Sequence, residues 1–189
     1  MNRKKTHLTM KVHIETRRLL LREWELTDLE PFAALNADPR VMEFFPSRLS
    51  AEQTRQFYER IVGEFAECGF GLYAVQRKAE GDFVGYVGLH RIGFETDFTP
   101  GVEIGWRLAA GVWGWGYAPE AAAACLLHAR EVLGLERVVS FTALPNVRSQ
   151  RVMQKIGMNR VGEFDHPALS PDDWLCRHVL YEKRLAASE

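Results

Sequence analysis

The chain has 189 residues, 47% apolar and 26% charged, with a formal net charge of -1. That length suits one domain burying about 70% of its unfolded surface without metal or disulfide, and the charge balance argues against nucleic acid as a direct partner. No apolar run of about 18 residues speaks for a membrane span, and the separated Cys68, Cys125 and Cys176 read as reduced thiols in a cytoplasmic protein.

Residues 1–13, with Arg3, Lys4, Lys5 and Lys11 but no apolar core of a signal peptide, read as a flexible tail, and 14–185 as one domain. Arg18 to Trp24 is Leu-rich and ends in alternation, which predicts a first strand. Thr27 or Asp28 can cap a helix through Leu29, Phe32 and Leu35 that stops before Pro39. Ser50 and Gln53 form a capping-box pattern for a second helix, with Phe57, Ile61 and Phe65 at fourfold spacing and Gly69 at its end. Gly71 to Arg77 and Phe83 to Ile92 read as a hairpin around Ala79-Glu80-Gly81-Asp82.

Val102 to Leu108 is a fourth strand. A helix from Pro119 to Leu133 follows, with proline in its first turn and Gly134 past its end. Arg137 to Thr142 makes a fifth strand, Asn146 caps a short helix ending at Gly157, and Asn159 to Phe164 and Arg177 to Lys183 are the last strands. This order describes a mixed α+β sheet rather than a regular βα alternation.

The segment Gly111-Val112-Trp113-Gly114-Trp115-Gly116-Tyr117-Ala118-Pro119-Glu120 crowds three glycines into a turn that opens into a helix. Glycine lets backbone N–H groups converge, and a helix N-terminus adds unpaired donors and partial positive charge, so the turn suits a phosphate. A Walker A loop needs Gly-Lys where Gly116-Tyr117 stands. The dinucleotide fingerprint needs a third glycine where Pro119 stands, although Glu136 occupies the expected ribose-binding position.

The turn resembles that of the GCN5-related N-acetyltransferase (GNAT) superfamily, in which the loop after the fourth strand cradles the coenzyme A pyrophosphate. Gly116 and Ala118 match its Arg/Gln-x-x-Gly-x-Gly/Ala pattern; Trp113 replaces the Arg or Gln. Trp-Gly-x-Gly-Tyr-Ala, with Val102-Glu103-Ile104-Gly105-Trp106-Arg107-Leu108, Asn146-Val147-Arg148-Ser149 and Lys155-Ile156-Gly157-Met158, is similar to the branch of ribosomal-protein N-terminal (alanine/serine) acetyltransferases. The opening Glu15-Thr16-Arg17-Arg18-Leu19-Leu20-Leu21-Arg22 and closing His178-Val179-Leu180-Tyr181 extend the resemblance over residues 14 to 185.

The resemblance implies a mostly antiparallel sheet of about seven strands flanked by about four helices, splayed between the fourth and fifth strands. It implies acetyl-CoA as co-substrate, no metal, and an amine acceptor, either a protein N-terminus or a small molecule. Ile104, Trp106, Arg107, Leu108, Trp113, Gly114, Trp115, Gly116, Tyr117, Ala118, Asn146 and Ser149 would then hold the cofactor. A backbone N–H near Arg107 or Leu108 would face the oxyanion.

Glu103 is the candidate base, as the lone carboxylate in an apolar strand, and a strand acid facing solvent is the plainer alternative. Ser149 or Tyr181 could protonate the thiolate, against a serine bonding local backbone and a packed aromatic. Asn146 is equally explained as an N-cap, and Trp106 as core. A homodimer is the default assembly. A non-catalytic acyl-CoA-binding or sensing module is the alternative function, and a dinucleotide-dependent oxidoreductase the weaker rival.

Overall fold

The computed structural model describes residues 11–185. Its sheet has eight strands in the order β1-β2-β3-β4-β5-β6-β8-β7, formed by β1 (Val12–Glu15), β2 (Leu19–Arg22), β3 (Leu72–Arg77), β4 (Phe83–Arg91), β5 (Val102–Leu108), β6 (Arg137–Ala143), β7 (Asn159–Asp165) and β8 (Arg177–Arg184). Four helices cover it: α1 (Leu29–Ala37), α2 (Ala51–Cys68), α3 (Tyr117–Glu131) and α4 (Val147–Lys155). Every neighbouring pair is antiparallel except β5 and β6. This is the expected mixed architecture with one strand more than the sequence suggested.

The added strand is β1. It pairs with β2 through Val12↔Arg22 and Ile14↔Leu21, and of its four residues only Ile14 is buried. One buried side chain in a short edge strand leaves no alternation to read, so the sequence alone does not separate Val12 and His13 from the basic tail. The rest of that tail assignment, residues 1–10, lies outside the described residues.

Helix ends follow local chemistry. Ser50 Oγ accepts from Gln53 N at 3.1 Å while Gln53 Oε1 accepts from Ser50 N at 2.8 Å, and Gly69 closes α2 at φ 73°. α3 begins two residues earlier than expected and keeps Pro119 in its first turn, where a missing N–H removes no helical bond. Asp28, expected as a cap for α1, makes no side-chain cap bond to it. Its buried carboxylate accepts from Arg22 at 2.7 and 2.8 Å and from Glu25 N at 2.8 Å, so a short turn over Leu26–Asp28 precedes α1.

Two apolar layers sandwich the sheet. On one side Ala121, Ala122, Cys125 and Ala129 are fully buried, and these small residues let α3 lie close on Val75, Val87, Ile104 and Val138. On the other, α1 and α2 bring Phe32, Leu35 and Ile61 onto Trp24, Ala74 and Tyr86. Strand parity divides β5 accordingly: Ile104 and Leu108 belong to the α3 layer, whereas Arg107 sits among Phe45, Phe57 and Tyr86 on the α1 and α2 side.

Candidate active site

After β5, a turn over Ala110–Val112 leads to Gly114 at φ 82° and Gly116 at φ 79°, and α3 opens at Tyr117 with no side-chain cap. The first N–H groups of a helix have no intrahelical partner, and left-handed glycines before them turn further amides toward one point. Such a turn offers backbone donors of the kind that suit an anion. Trp113, which stands where Arg or Gln was expected, donates from Nε1 to Leu108 O at 2.8 Å and carries the Arg148 guanidinium 4.7 Å over its ring. It latches the turn to the end of β5. Trp115 is 67% exposed and lies outside the cleft lining, so its side chain takes no part in the cradle.

A cation does reach the turn, from a residue to which the sequence reading gave no role. Arg18 lies 4.5 Å over the Tyr117 ring, and a Cβ built on Gly116 would stand 3.6 Å from its Nη2. Glu120 anchors Arg18, accepting from its Nε at 2.7 Å and its backbone N at 3.0 Å, and also accepts from Thr16 Oγ1 at 2.7 Å. Burial alone would raise the Glu120 pKa, but the bonds from Thr16 and Arg18 hold it below the ordinary carboxylate value.

The sheet opens beside this turn. β5 and β6 share one register pair, Glu103↔Val139, reinforced by Ser140 Oγ donating to Ile104 O at 2.8 Å. The opposite edge of β5 is fully paired to β4, through His90↔Glu103, Gly88↔Gly105 and Tyr86↔Arg107, and Ala109 N donates to Val84 O at 2.9 Å in the same alternation. Antiparallel pairing directs every second amide to the same neighbour, so Glu103, Gly105 and Arg107 point theirs at β4. Trp106 and Leu108 turn theirs into the gap. Of the two amides considered for an oxyanion, that of Leu108 faces the open edge.

Glu103 lies at the root of the gap, its side chain 12% exposed and Oε2 3.1 Å from His90 Nε2. Burial would lower the His90 pKa, but the Glu103 hydrogen bond and charge, with Glu64 behind them, push it up to about 9. His90 is therefore an imidazolium at neutral pH. Farther along the same wall, Phe94, Phe141 and Phe164 surround His166 and His178, whose rings lie 4.9 Å apart. Burial lowers the pKa of both imidazoles, leaving them neutral at pH 7.

On the far side of the gap, Asn146 caps α4: its Oδ1 accepts from Ser149 N at 3.2 Å, and its Nδ2 donates to Thr142 Oγ1 at 2.9 Å and to Ser149 Oγ at 3.1 Å. The side chain is fully engaged, as the capping alternative requires. Ser149 Oγ accepts that bond, which leaves its own proton to point elsewhere. Tyr181 is 3% exposed, and its hydroxyl accepts from Gln154 Nε2 at 3.2 Å on the α3 and α4 side of the sheet. Strand alternation directs it away from the gap and its neighbour His178 toward the gap.

A single cleft of about 1100 Å³ joins these parts. It brings together Glu103, Trp106, Arg107 and Leu108 of β5, the turn from Trp113 to Ala118 apart from Trp115, and Asn146 and Ser149 of α4. The Ile104 side chain is buried behind the strand, and Tyr181 and Trp115 stay outside.

A family model for the acetyltransferase (GNAT) domain matches residues 18–159. The chain belongs to the GNAT acetyltransferase family. A Bacillus subtilis relative described as the uncharacterized N-acetyltransferase YnaD is 30% identical over 164 residues, covering 86% of this chain and 92% of that protein. A GNAT-family acetyltransferase structure from Bacillus anthracis superposes with a TM-score of 0.76 at 28% identity, over 90% of this chain and 97% of that one. The ribosomal-protein-S5-alanine acetyltransferase of Vibrio fischeri, with a TM-score of 0.74 at 19% identity over 93% and 97% of the two chains, shares the fold. As a GNAT member the protein is an acetyl-CoA-dependent acyltransferase, and the dinucleotide reading of the turn falls away.

Proposed function

We propose that the protein transfers the acetyl group of acetyl-CoA directly to a primary amine while both substrates are bound. The observation that carries this reading is the continuity of the cleft, which joins the uncapped turn before α3, the unpaired edge of β5 and the Glu103 carboxylate. The backbone amides around Gly116, with Arg18 beside them, suit the pyrophosphate, and the Trp106 and Leu108 amides suit the pantetheine arm and thioester oxygen. No cysteine lines the cleft among the described residues, which favours attack by the amine itself over a covalent acyl relay.

In this mechanism the amine nitrogen bonds to the thioester carbonyl carbon, its proton passes toward Glu103 through water, and the C–S bond breaks. The Leu108 N–H stabilises the oxyanion, and the Ser149 hydroxyl donates to the departing sulfur. Glu103 already accepts a hydrogen bond from His90, so the water route has to approach its other oxygen. An α-amine near pKa 7.8 needs only about 1.1 kcal/mol to lose its proton at pH 7, whereas a lysine amine needs about 4.6 kcal/mol. A weakly basic amine, whether a protein N-terminus or a small molecule, therefore asks least of the base, while alkylamines share one higher deprotonation cost.

The test is a thermal-shift comparison of acetyl-CoA, CoA, NAD and ATP, followed by an acetylation screen over peptides and amines. Stabilisation by acetyl-CoA and CoA with turnover of an amine is expected. Stabilisation without turnover of any amine points to a sensing module instead, and preference for NAD or ATP overturns the reading.

A further inference from the structure

Arg107 is a buried cation without a counter-ion. The residue is 8% exposed and lines the cleft on the same face of β5 as Glu103 and Gly105. Nη1 donates to Asn36 Oδ1 at 2.6 Å, Nε is buried with no acceptor, and no carboxylate pairs with the guanidinium among the described residues. The contrast is Arg22, just as buried, which is held bidentately by Asp28 at 2.7 and 2.8 Å. Three rings, Phe45 at 4.0 Å, Tyr86 at 5.4 Å and Phe57 at 5.7 Å, surround Arg107. Aromatic faces attract a cation, but they leave its remaining N–H donors unsatisfied.

Such a guanidinium is matched by a planar anion, and its fork geometry selects carboxylate. Glu103, bonded to His90, and Glu64, which accepts from Arg91 N, lie toward one end of this face, Arg107 and Arg60, both over the Phe57 ring, lie toward the other, and Gly105 lies between the strand residues. A Cβ on Gly105 would meet only Glu103 Oε1, at 4.0 Å, so this floor is open. Glu103 and Arg107 are four residues apart, about 13 Å along a strand. We infer that the acceptor is an amine bearing a carboxylate several bonds away, its amine beside Glu103, its chain over Gly105 and its carboxylate on Arg107. The amine end rests on the acetyl-transfer reading above; the carboxylate end does not.

Matched probes test this. ε-Aminocaproate, pentylamine and cadaverine share a chain but differ in its far end, and caproate keeps the carboxylate without an acceptor nitrogen. Amidated Ala-Glu-Ala and Ala-Gln-Ala repeat the comparison on a peptide N-terminus and distinguish a peptide source from a small molecule. The expected result is a kcat/KM at least about tenfold higher for the carboxylate member of either matched set, as fits a charge-assisted hydrogen bond. Arg107→Gln should erase this ratio through KM for the carboxylate member, and Arg107→Lys should restore part of it. A ratio unchanged in Arg107→Gln, or a wild-type preference for cadaverine, overturns the inference. Caproate should raise the melting temperature of the wild-type CoA complex, a measurement independent of any variant's folding; no shift overturns the carboxylate site. Stabilisation by caproate with no acetylation of any amine would instead sink the acetyl-transfer reading and leave the carboxylate site standing.

Discussion

At the scale of single residues, Gly116 and Asp28 carry sharp expectations. Gly116 holds φ 79°, where a side chain costs about 1–2 kcal/mol and a β-branched one more. Gly116→Val should therefore distort the cradle and reduce CoA affinity by about tenfold or more, given about 1.4 kcal/mol per tenfold. Calorimetric titration beside a melting curve separates this from unfolding, and unchanged affinity would refute the cradle. Trp113→Ala removes the latch to Leu108 O and should weaken CoA binding less, since no amide of the cradle is lost. Asp28→Ala strands the buried Arg22 guanidinium and should cost about 3–5 kcal/mol in denaturant unfolding. A loss below about 1 kcal/mol, the range of exposed pairs, would show that solvent reaches the site.

At the scale of elements, the His90–Glu103 contact ties β4 to β5 at the root of the cleft. Because the folded state raises the His90 pKa from 6.5 to about 9, the pair's stabilisation is fully present below the unfolded value and is lost as pH rises through about 9. The melting-temperature advantage of wild type over His90→Gln should shrink across that window. A constant gap would place the stabilisation elsewhere. Element ends were legible because their chemistry is local: Ser50 with Gln53, the turn at Gly69, and Pro39 after α1 each act within a few residues. What escaped was non-local. Arg18 meets Glu120 across 102 positions, and no short window can pair them. Tyr181 escaped for a different reason: both faces of β8 mix apolar and charged residues, His178, Leu180 and Glu182 on one and Val179, Tyr181 and Lys183 on the other, so its pattern does not say which side chains face α4.

At the scale of the whole molecule, simultaneous binding of donor and acceptor requires a sequential rate law. Initial rates against both substrates should give intersecting double-reciprocal lines; parallel lines would indicate a covalent acyl intermediate. CoA at about 100 times its Kd should add roughly 2.7 kcal/mol, or about 5–11 °C in melting temperature for a chain of this size.

The single register pair between β5 and β6 also makes the sheet incomplete. Trp106 and Leu108 present backbone donors along a strand edge inside the molecule, the kind of edge that elsewhere recruits another strand. A pantetheine arm, with its amides spaced along a chain, can fill that place as a guest strand. Hydrogen exchange should then be fast at Trp106 and Leu108 in the free protein and slow on CoA addition, while Gly105 and Arg107, bonded to β4, stay protected in both states.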